Sequence, residues 1–181
     1  MRTYELAIVA SGLDPQDEDL EARFYRAGCD DATISFQRGR IIADFAREAG
    51  SPEDAVVSAI EDVMKAGATV ERVEPDPLVS LTDMASRAGL TRAALSLYAK
   101  GQRASGFPPP VARVTAASPL WDWADVSRWF CDHGKLDREE VALAQVVKAA
   151  NEAVTAGEAG HLRDRLRANA RMVEPALIET D

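Results

Sequence analysis

Arg92, Ser96 and Lys100 stand at i, i+4 and i+8, so on a helix they share one face. Thr91 lies at the start of that segment, and Gln102 and Arg103 lie just beyond its end. A guanidinium and a hydroxyl can hydrogen-bond to base edges, while an ammonium meets a phosphate as a point charge. A short helix with such a face is suited to the major groove of DNA. The reading expects Arg92 and Ser96 near base edges, and Thr91, Lys100, Gln102 and Arg103 on the flanking backbone. Arg113, further along, is expected on a hairpin that approaches the minor groove or a phosphate.

No arrangement suited to catalysis competes with this. There is no Gly-rich phosphate loop and no nucleophile elbow. Neither His133 nor His161 is spaced to serve a serine or, with Cys29 and Cys131, a metal. Both cysteines are expected to be structural. The acid runs Asp17-Glu18-Asp19, Asp30-Asp31 and Glu139-Glu140 fall where turns and helix caps explain them. The expectation is a protein that is not an enzyme and has no catalytic residue, metal or cofactor.

The elements that would hold the candidate face follow from caps and spacing. Thr82 is placed to cap a helix over Asp83–Ala88 that Gly89 stops, and Thr91 to cap a second helix running to Lys100, stopped by Gly101. Leu81, Met84, Ala85, Ala88, Leu90 and Leu95 form one apolar set, with Ala85 small enough to let the helices approach. Phe107-Pro108-Pro109-Pro110 turns the chain out of the second helix. Val111–Val114 and Pro119–Trp121 then read as a hairpin with its tip at Thr115 to Ser118. Asp122, with Asp125 three residues on, caps a further helix whose Trp121 or Trp123, Val126, Trp129 and Phe130 are expected in the core.

Residues 81–96, Leu-Thr-Asp-Met-Ala-Ser-Arg-Ala-Gly-Leu-Thr-Arg-Ala-Ala-Leu-Ser, resemble the helix-turn-helix of bacterial repressors of the lactose-repressor type. Gly106–Val114 followed by Leu120–Phe130 resembles the winged end of phage excisionase/AlpA-type and MerR-type regulators. The resemblance spans about residues 78 to 133 and implies a winged helix-turn-helix. Ala93 and Leu97 stand where repressors commonly carry base-reading polar residues, so DNA shape is expected to contribute to recognition.

The chain has 181 residues and a net charge of −9, unevenly distributed. Residues 1–77 hold eight bases against seventeen acids, residues 78–130 six against three, and the remainder seven against ten. The candidate reading head is thus the one basic stretch behind an acidic body, a distribution that orients a molecule on a polyanion. No apolar run approaches a membrane span, and the first residues carry no apolar signal core, so a cytoplasmic, nucleoid-associated protein is expected.

The N-terminal stretch reads as β-α-β-β-α-β, the ferredoxin-like plan. Tyr4, Leu6 and Ile8 share one side of the first strand, and Leu20, Phe24 and Ala27 one face of a helix ending at Gly28. Ala32, Ile34 and Phe36 share one side of a strand that joins the strand of Ile41, Ala43 and Phe45 through a turn at Arg38-Gly39. Ser51-Pro52 starts a helix lined by Val56, Ile60 and Val63, and Thr69–Glu74 reads as a last strand. Pro75-Asp76-Pro77 marks the boundary of an acidic domain over residues 1–77, followed by the reading head at 78–134. Residues 135–181 read as C-terminal amphipathic helices. One is capped by Asp137 and Glu140 and carries Leu143, Val147, Ala150 and Val154; the other carries Leu162, Leu166, Ala170 and Val173 among a solvated run of Arg163, Arg165, Arg167 and Arg171.

The fold class expected is therefore α+β, and the function a sequence-specific, double-stranded DNA-binding transcriptional regulator. A homodimer is expected, because one short helix reads few bases; the C-terminal helices would either form its interface or dock on the chain itself. The alternative is an antitoxin or adaptor whose acidic N-terminal domain masks a basic protein partner and which can also repress its own gene. A small-ligand sensor remains a third option by fold analogy alone.

Overall fold

The computed structural model of the chain describes residues 1–166, a mixed α+β fold with one antiparallel four-stranded sheet. It divides into two compact units, Met1–Pro75 with the residues from Val146 onward, and Asp76–Gln145.

In the first unit the order is β1 (Arg2–Ser11), α1 (Leu20–Ala27), β2 (Ala32–Gln37), β3 (Arg40–Ala49), α2 (Pro52–Lys65) and β4 (Thr69–Glu74). The strands lie side by side as β2-β3-β1-β4. Tyr4, Leu6, Ile8 and Ala10 of β1 and Ile41, Ala43 and Phe45 of β3 are buried with Phe24 of α1 and Val56, Ile60 and Val63 of α2. Ser51 accepts a hydrogen bond from the Asp54 N–H, Pro52 opens the helix, and Glu53 and Asp54 face its positive end. A two-residue turn at Arg38 and Gly39, both with positive φ, joins β2 to β3.

Two strands depart from the sequence pattern. Phe36 is 41% exposed. Its register opposite Ile41 puts it on the helix side as expected, but β2 is the edge strand, where alternation sets the side and not the burial. On β4 the buried residues are Val70 and Val73, three apart, because the pairing with β1 shifts register between Val9 and Ala10.

The Asp30-Asp31 turn has a role that acid spacing does not reveal. Arg47, 9% exposed on the helix side of β3, spends all five N–H groups. Nε and Nη2 bind the two Asp31 carboxylate oxygens at 2.7 and 2.9 Å, and Nη2 also donates to the Gly28 carbonyl at 3.0 Å. Nη1 donates to Ser58 Oγ at 3.0 Å and Asp62 Oδ2 at 2.8 Å. Burial works against the charge of Arg47, but the hydrogen bonds to Asp31 and Asp62 outweigh it and hold the proton more tightly than usual. Gly28 has φ +109°, and a Cβ there would lie 2.8 Å from Asp62 Oδ1. Burial, then the Asp62 charge, pushes the neighbouring Cys29 thiol up to about 12.

The second unit comprises β5 (Leu78–Val79), α3 (Leu81–Arg87), α4 (Arg92–Ala99), β6 (Trp121–Asp122), α5 (Trp123–Asp132) and the start of α6 (Arg138–Thr155). Val79 pairs with Trp121 and Leu78 with Asp122, a two-stranded sheet that two residues of sequence are too short to announce. The expected hairpin shrinks to one bridge, Ala112 with Leu120, because Trp121 pairs with Val79 instead. Asp137 and Glu140 exchange the expected capping bonds ahead of α6.

Further along α6 and beyond it, the residues belong to the first unit. Asn151 accepts from the Val73 N–H at 3.0 Å and donates to the Val73 carbonyl at 2.8 Å, supplying one rung along the outer edge of β4. In this part of α6 Val146, Val147, Ala150 and Ala153 are buried, while Ala144, earlier on the helix, is buried in the second unit's core; Leu143 and Val154, expected inward, are half-buried. Leu162 and Leu166 are buried as well. The described arginines of the run lie at the surface and form ion pairs there: Arg163 pairs with Glu61 and Asp54, and Arg165 with Glu158 and Glu152. Of the apolar face expected to dimerise or to dock, Val147, Ala150, Leu162 and Leu166 are buried within the chain. Arg167, Ala170, Arg171 and Val173 lie outside the described residues.

Arg47→Met should cost about 3 kcal/mol, because it strands Asp31 and Asp62 in a half-buried setting. Urea titration followed by circular dichroism measures it, and a loss under about 1 kcal/mol would contradict this account. In the folded protein Cys29 should resist thiol reagents at pH 8 and react only on unfolding; stoichiometric labelling of native protein at Cys29, located by mass spectrometry, would disprove the burial argument.

Candidate nucleic-acid interface

The scaffold of the candidate face is a pair of short helices joined by a turn at Gly89, which has φ +62°. α3 is capped by Ser80, two residues earlier than Thr82, which is exposed. Ser80 Oγ accepts the Asp83 N–H, while the Asp83 carboxylate takes both the Ser80 N–H at 2.8 Å and its hydroxyl at 2.6 Å. A Ser-x-x-Asp box of this kind competes successfully with the Thr82 hydroxyl because it satisfies donors in both directions. The Ser80 hydroxyl, then its N–H, hold the Asp83 carboxyl below its ordinary 3.8. The contribution of Asp83 is therefore complete above that value and fades as pH falls through the lower folded one.

Met84, Ala85, Leu95 and Tyr98 are buried with Val79, Trp121, Trp123, Val126, Trp129 and Phe130 in one core, against which Leu81, Ala88, Leu90 and Phe107 pack. The tryptophans are core residues, as their spacing implied. Tyr98, Phe107, Trp129 and Phe130 meet mainly edge to face, at centroid distances of 5.1–6.2 Å. The indole N–H groups have a second task. Trp129 Nε1 donates to the Ser105 carbonyl at 3.3 Å and Trp121 Nε1 to the Pro108 carbonyl at 3.1 Å. Together they pin both sides of Phe107 in the loop that follows α4.

Each predicted site residue has a definite place on this frame. Thr91 is the N-cap of α4, and its Oγ1 accepts from the Ala94 N–H at 3.1 Å, so the hydroxyl already serves the helix. Arg92 and Lys100 are exposed at the two ends of α4, with Lys100 as the C-cap residue. Ser96 is half-buried; the more outward residues between those ends are Ala93 and Leu97, the latter 41% exposed. Gln102 and Arg103 are exposed beyond Gly101, and the Arg103 guanidinium sits 5.2 Å from the Tyr98 ring centroid, which draws it back toward α4. Arg113 is exposed with φ +51°, and its carbonyl accepts the Ala116 N–H in a tight turn.

Among the described residues, none of Arg92, Lys100, Arg103 and Arg113 makes an ion pair. In the first unit Arg23, Arg26, Arg40, Arg47, Arg163 and Arg165 are each bound to a carboxylate. No protein-family model matches this chain, and no curated protein or solved structure does. Among the described residues, no group of three or more His, Cys, Asp or Glu side chains could hold a metal ion, and no helix is long and apolar enough to cross a membrane.

Sequence reasoning omitted Arg87 from the site, and its guanidinium lies 5.3 Å from the Trp123 ring centroid, facing an aromatic of its own unit. The indole bonds to Ser105 and Pro108 also went unforeseen. The Phe-Pro-Pro-Pro run signalled a stiff loop, and sequence carries no sign of which donor would meet its carbonyls.

Trp121→Phe removes the donor to Pro108 while keeping an aromatic ring, and should cost about 1–2 kcal/mol. Trp129→Ala should cost about 3–5 kcal/mol by opening the aromatic core. Urea unfolding read by the remaining tryptophans, all in the second unit, measures both; equal and negligible effects would contradict the pinning of this loop.

Proposed function

We propose that the second unit is a winged helix-turn-helix that binds double-stranded DNA, with α4 in the major groove, in a transcriptional regulator. The observation that carries this reading is the exposed α4 face, bounded by Arg92 and Lys100 and continued by Gln102 and Arg103, whose cations are left unpaired among the described residues. A helix held by its N-cap and by a packed inner face can enter a groove without reorganising. Ala93 and Leu97 suit apolar contact with thymine methyl groups, while the cations meet phosphates and guanine edges. The bridge loop with Arg113 takes the place of a wing. In the first unit, the strand order β2-β3-β1-β4 and the two helices on one face support a ferredoxin-like reading.

The open face of the first unit's sheet favours the second reading. Glu5, Asp44, Glu48 and Glu74 are exposed there around Ala7 and Ala46, a surface complementary to a basic protein. In that antitoxin or adaptor role, binding of the partner survives Arg92→Ala and is lost when Glu5 and Asp44 are neutralised.

Arg92→Ala should reduce discrimination between the preferred duplex and a scrambled one roughly tenfold. Lys100→Ala should weaken both duplexes alike and lower the salt slope by about one ion. Fluorescence anisotropy at several salt concentrations separates the two. Equal losses on both DNAs in both variants would defeat the assignment of roles.

A further inference from the structure

The two edges of the four-stranded sheet are finished differently. On β4, Asn151 bonds the outward N–H and carbonyl of Val73, and Glu71, Arg72 and Glu74 charge the strand. β2 at the other edge, Ala-Thr-Ile-Ser-Phe-Gln, has no charged residue, and among the described residues no strand pairs with its outer side. Edge strands left both open and uncharged invite another strand.

The backbone parity of β2 is fixed. The Ala46 N–H donates to the Asp31 carbonyl, so in the antiparallel ladder residues 31, 33, 35 and 37 turn their polar groups toward β3. Ile34 and Phe36 therefore direct N–H and C=O outward, and Ala32 its C=O, the Ala32 N–H being held by the Cys29 carbonyl at 3.2 Å. We infer that this edge pairs with the same edge of a second copy, antiparallel about a two-fold axis at Ile34, joining the two sheets into one of eight strands.

Self-complementarity chooses that partner over an unrelated peptide. With Ile34 opposite Ile34 of the second copy, Ala32 faces Phe36, and the two strands exchange four backbone hydrogen bonds, from the Ile34 N–H groups to the Ile34 carbonyls and from the Phe36 N–H groups to the Ala32 carbonyls. The small Ala32 accommodates the Phe36 ring, which is 41% exposed in the single chain. The same register brings the turn that holds Asp30, just before β2, to the turn that holds Arg38, just after it, in the second copy. Asp31 is already bound to Arg47 and Arg40 to Glu71, whereas Asp30 and Arg38 are exposed and make no ion pair among the described residues. The flanking charges left over within one chain are thus the two that meet across this axis, twice per dimer. Nothing here depends on DNA binding.

Sedimentation equilibrium of the full chain without DNA tests the inference. The wild type should be a reversible dimer, and Phe36→Lys should make it monomeric with an unchanged circular dichroism spectrum. Asp30→Arg and Arg38→Asp should each raise the dimer dissociation constant about tenfold, through lost pairing and new repulsion at both sites. The double variant should restore it to within about threefold. Both positions are exposed, so this cycle stands even if Phe36→Lys fails to fold. A wild type monomeric at all concentrations would overturn the inference, the edge then being open to a strand of a different protein. A dimer indifferent to all these changes, or single losses that the double variant fails to rescue, would overturn it equally.

Discussion

The Arg47 guanidinium ties the first unit together, and its demands explain residues far apart in sequence. A buried cation is tolerated only when its hydrogen-bonding capacity is spent on opposite charge and well-placed acceptors. Here one side chain on β3 gathers the end of α1 at Gly28, the start of β2 at Asp31, and α2 at Ser58 and Asp62. The glycine is required twice over, by its backbone angle and by the closeness of Asp62. With Asp31 committed to Arg47, the adjacent Asp30 is left facing solvent at the end of an open strand. An interior requirement thus shapes the outer edge.

The second unit is organised by packing. Small residues let α3 and α4 approach, and the aromatic cluster behind them holds the following loop through two indole hydrogen bonds. Among the described residues Arg92, Lys100, Arg103 and Arg113 make no ion pair, while many cations in the first unit are neutralised where they stand. The overall charge of −9 hides this division. A functional reading from net charge alone would have excluded nucleic acid; one from the pairing of individual charges favours it.

Strand and helix order in the first unit was legible because β1, β3, α1 and α2 bury one clean face each, and periodicity reports burial. At the sheet's edges burial and periodicity part. Phe36 alternates correctly but has little above it, and β4 carries a register shift that breaks the period. The cap at Ser80 was missed because Thr82 offers the same chemistry two residues later, and the choice rests on the reciprocal bond from Asp83. In the candidate site, the positions of Arg92 and Lys100 followed from helical spacing. The half-burial of Ser96, the engagement of Thr91 as a cap and the turn of Arg103 toward Tyr98 did not, since each depends on atoms from a neighbouring turn or loop. Spacing also proved a poor guide to α6, whose buried face is offset from the one defined by Leu143 and Val154 because small alanines let the helix sit close.

The most direct test is a binding competition with wild-type protein, setting the DNA upstream of its own gene against scrambled DNA of equal length and composition, at low and at physiological salt. Binding to both DNAs should weaken with salt, as phosphate contacts require, while the preference for the upstream DNA persists. Equal affinity for the two DNAs at both salt concentrations, or no binding at either, would contradict the assignment of α4 to the major groove and leave the acidic sheet face as the functional surface.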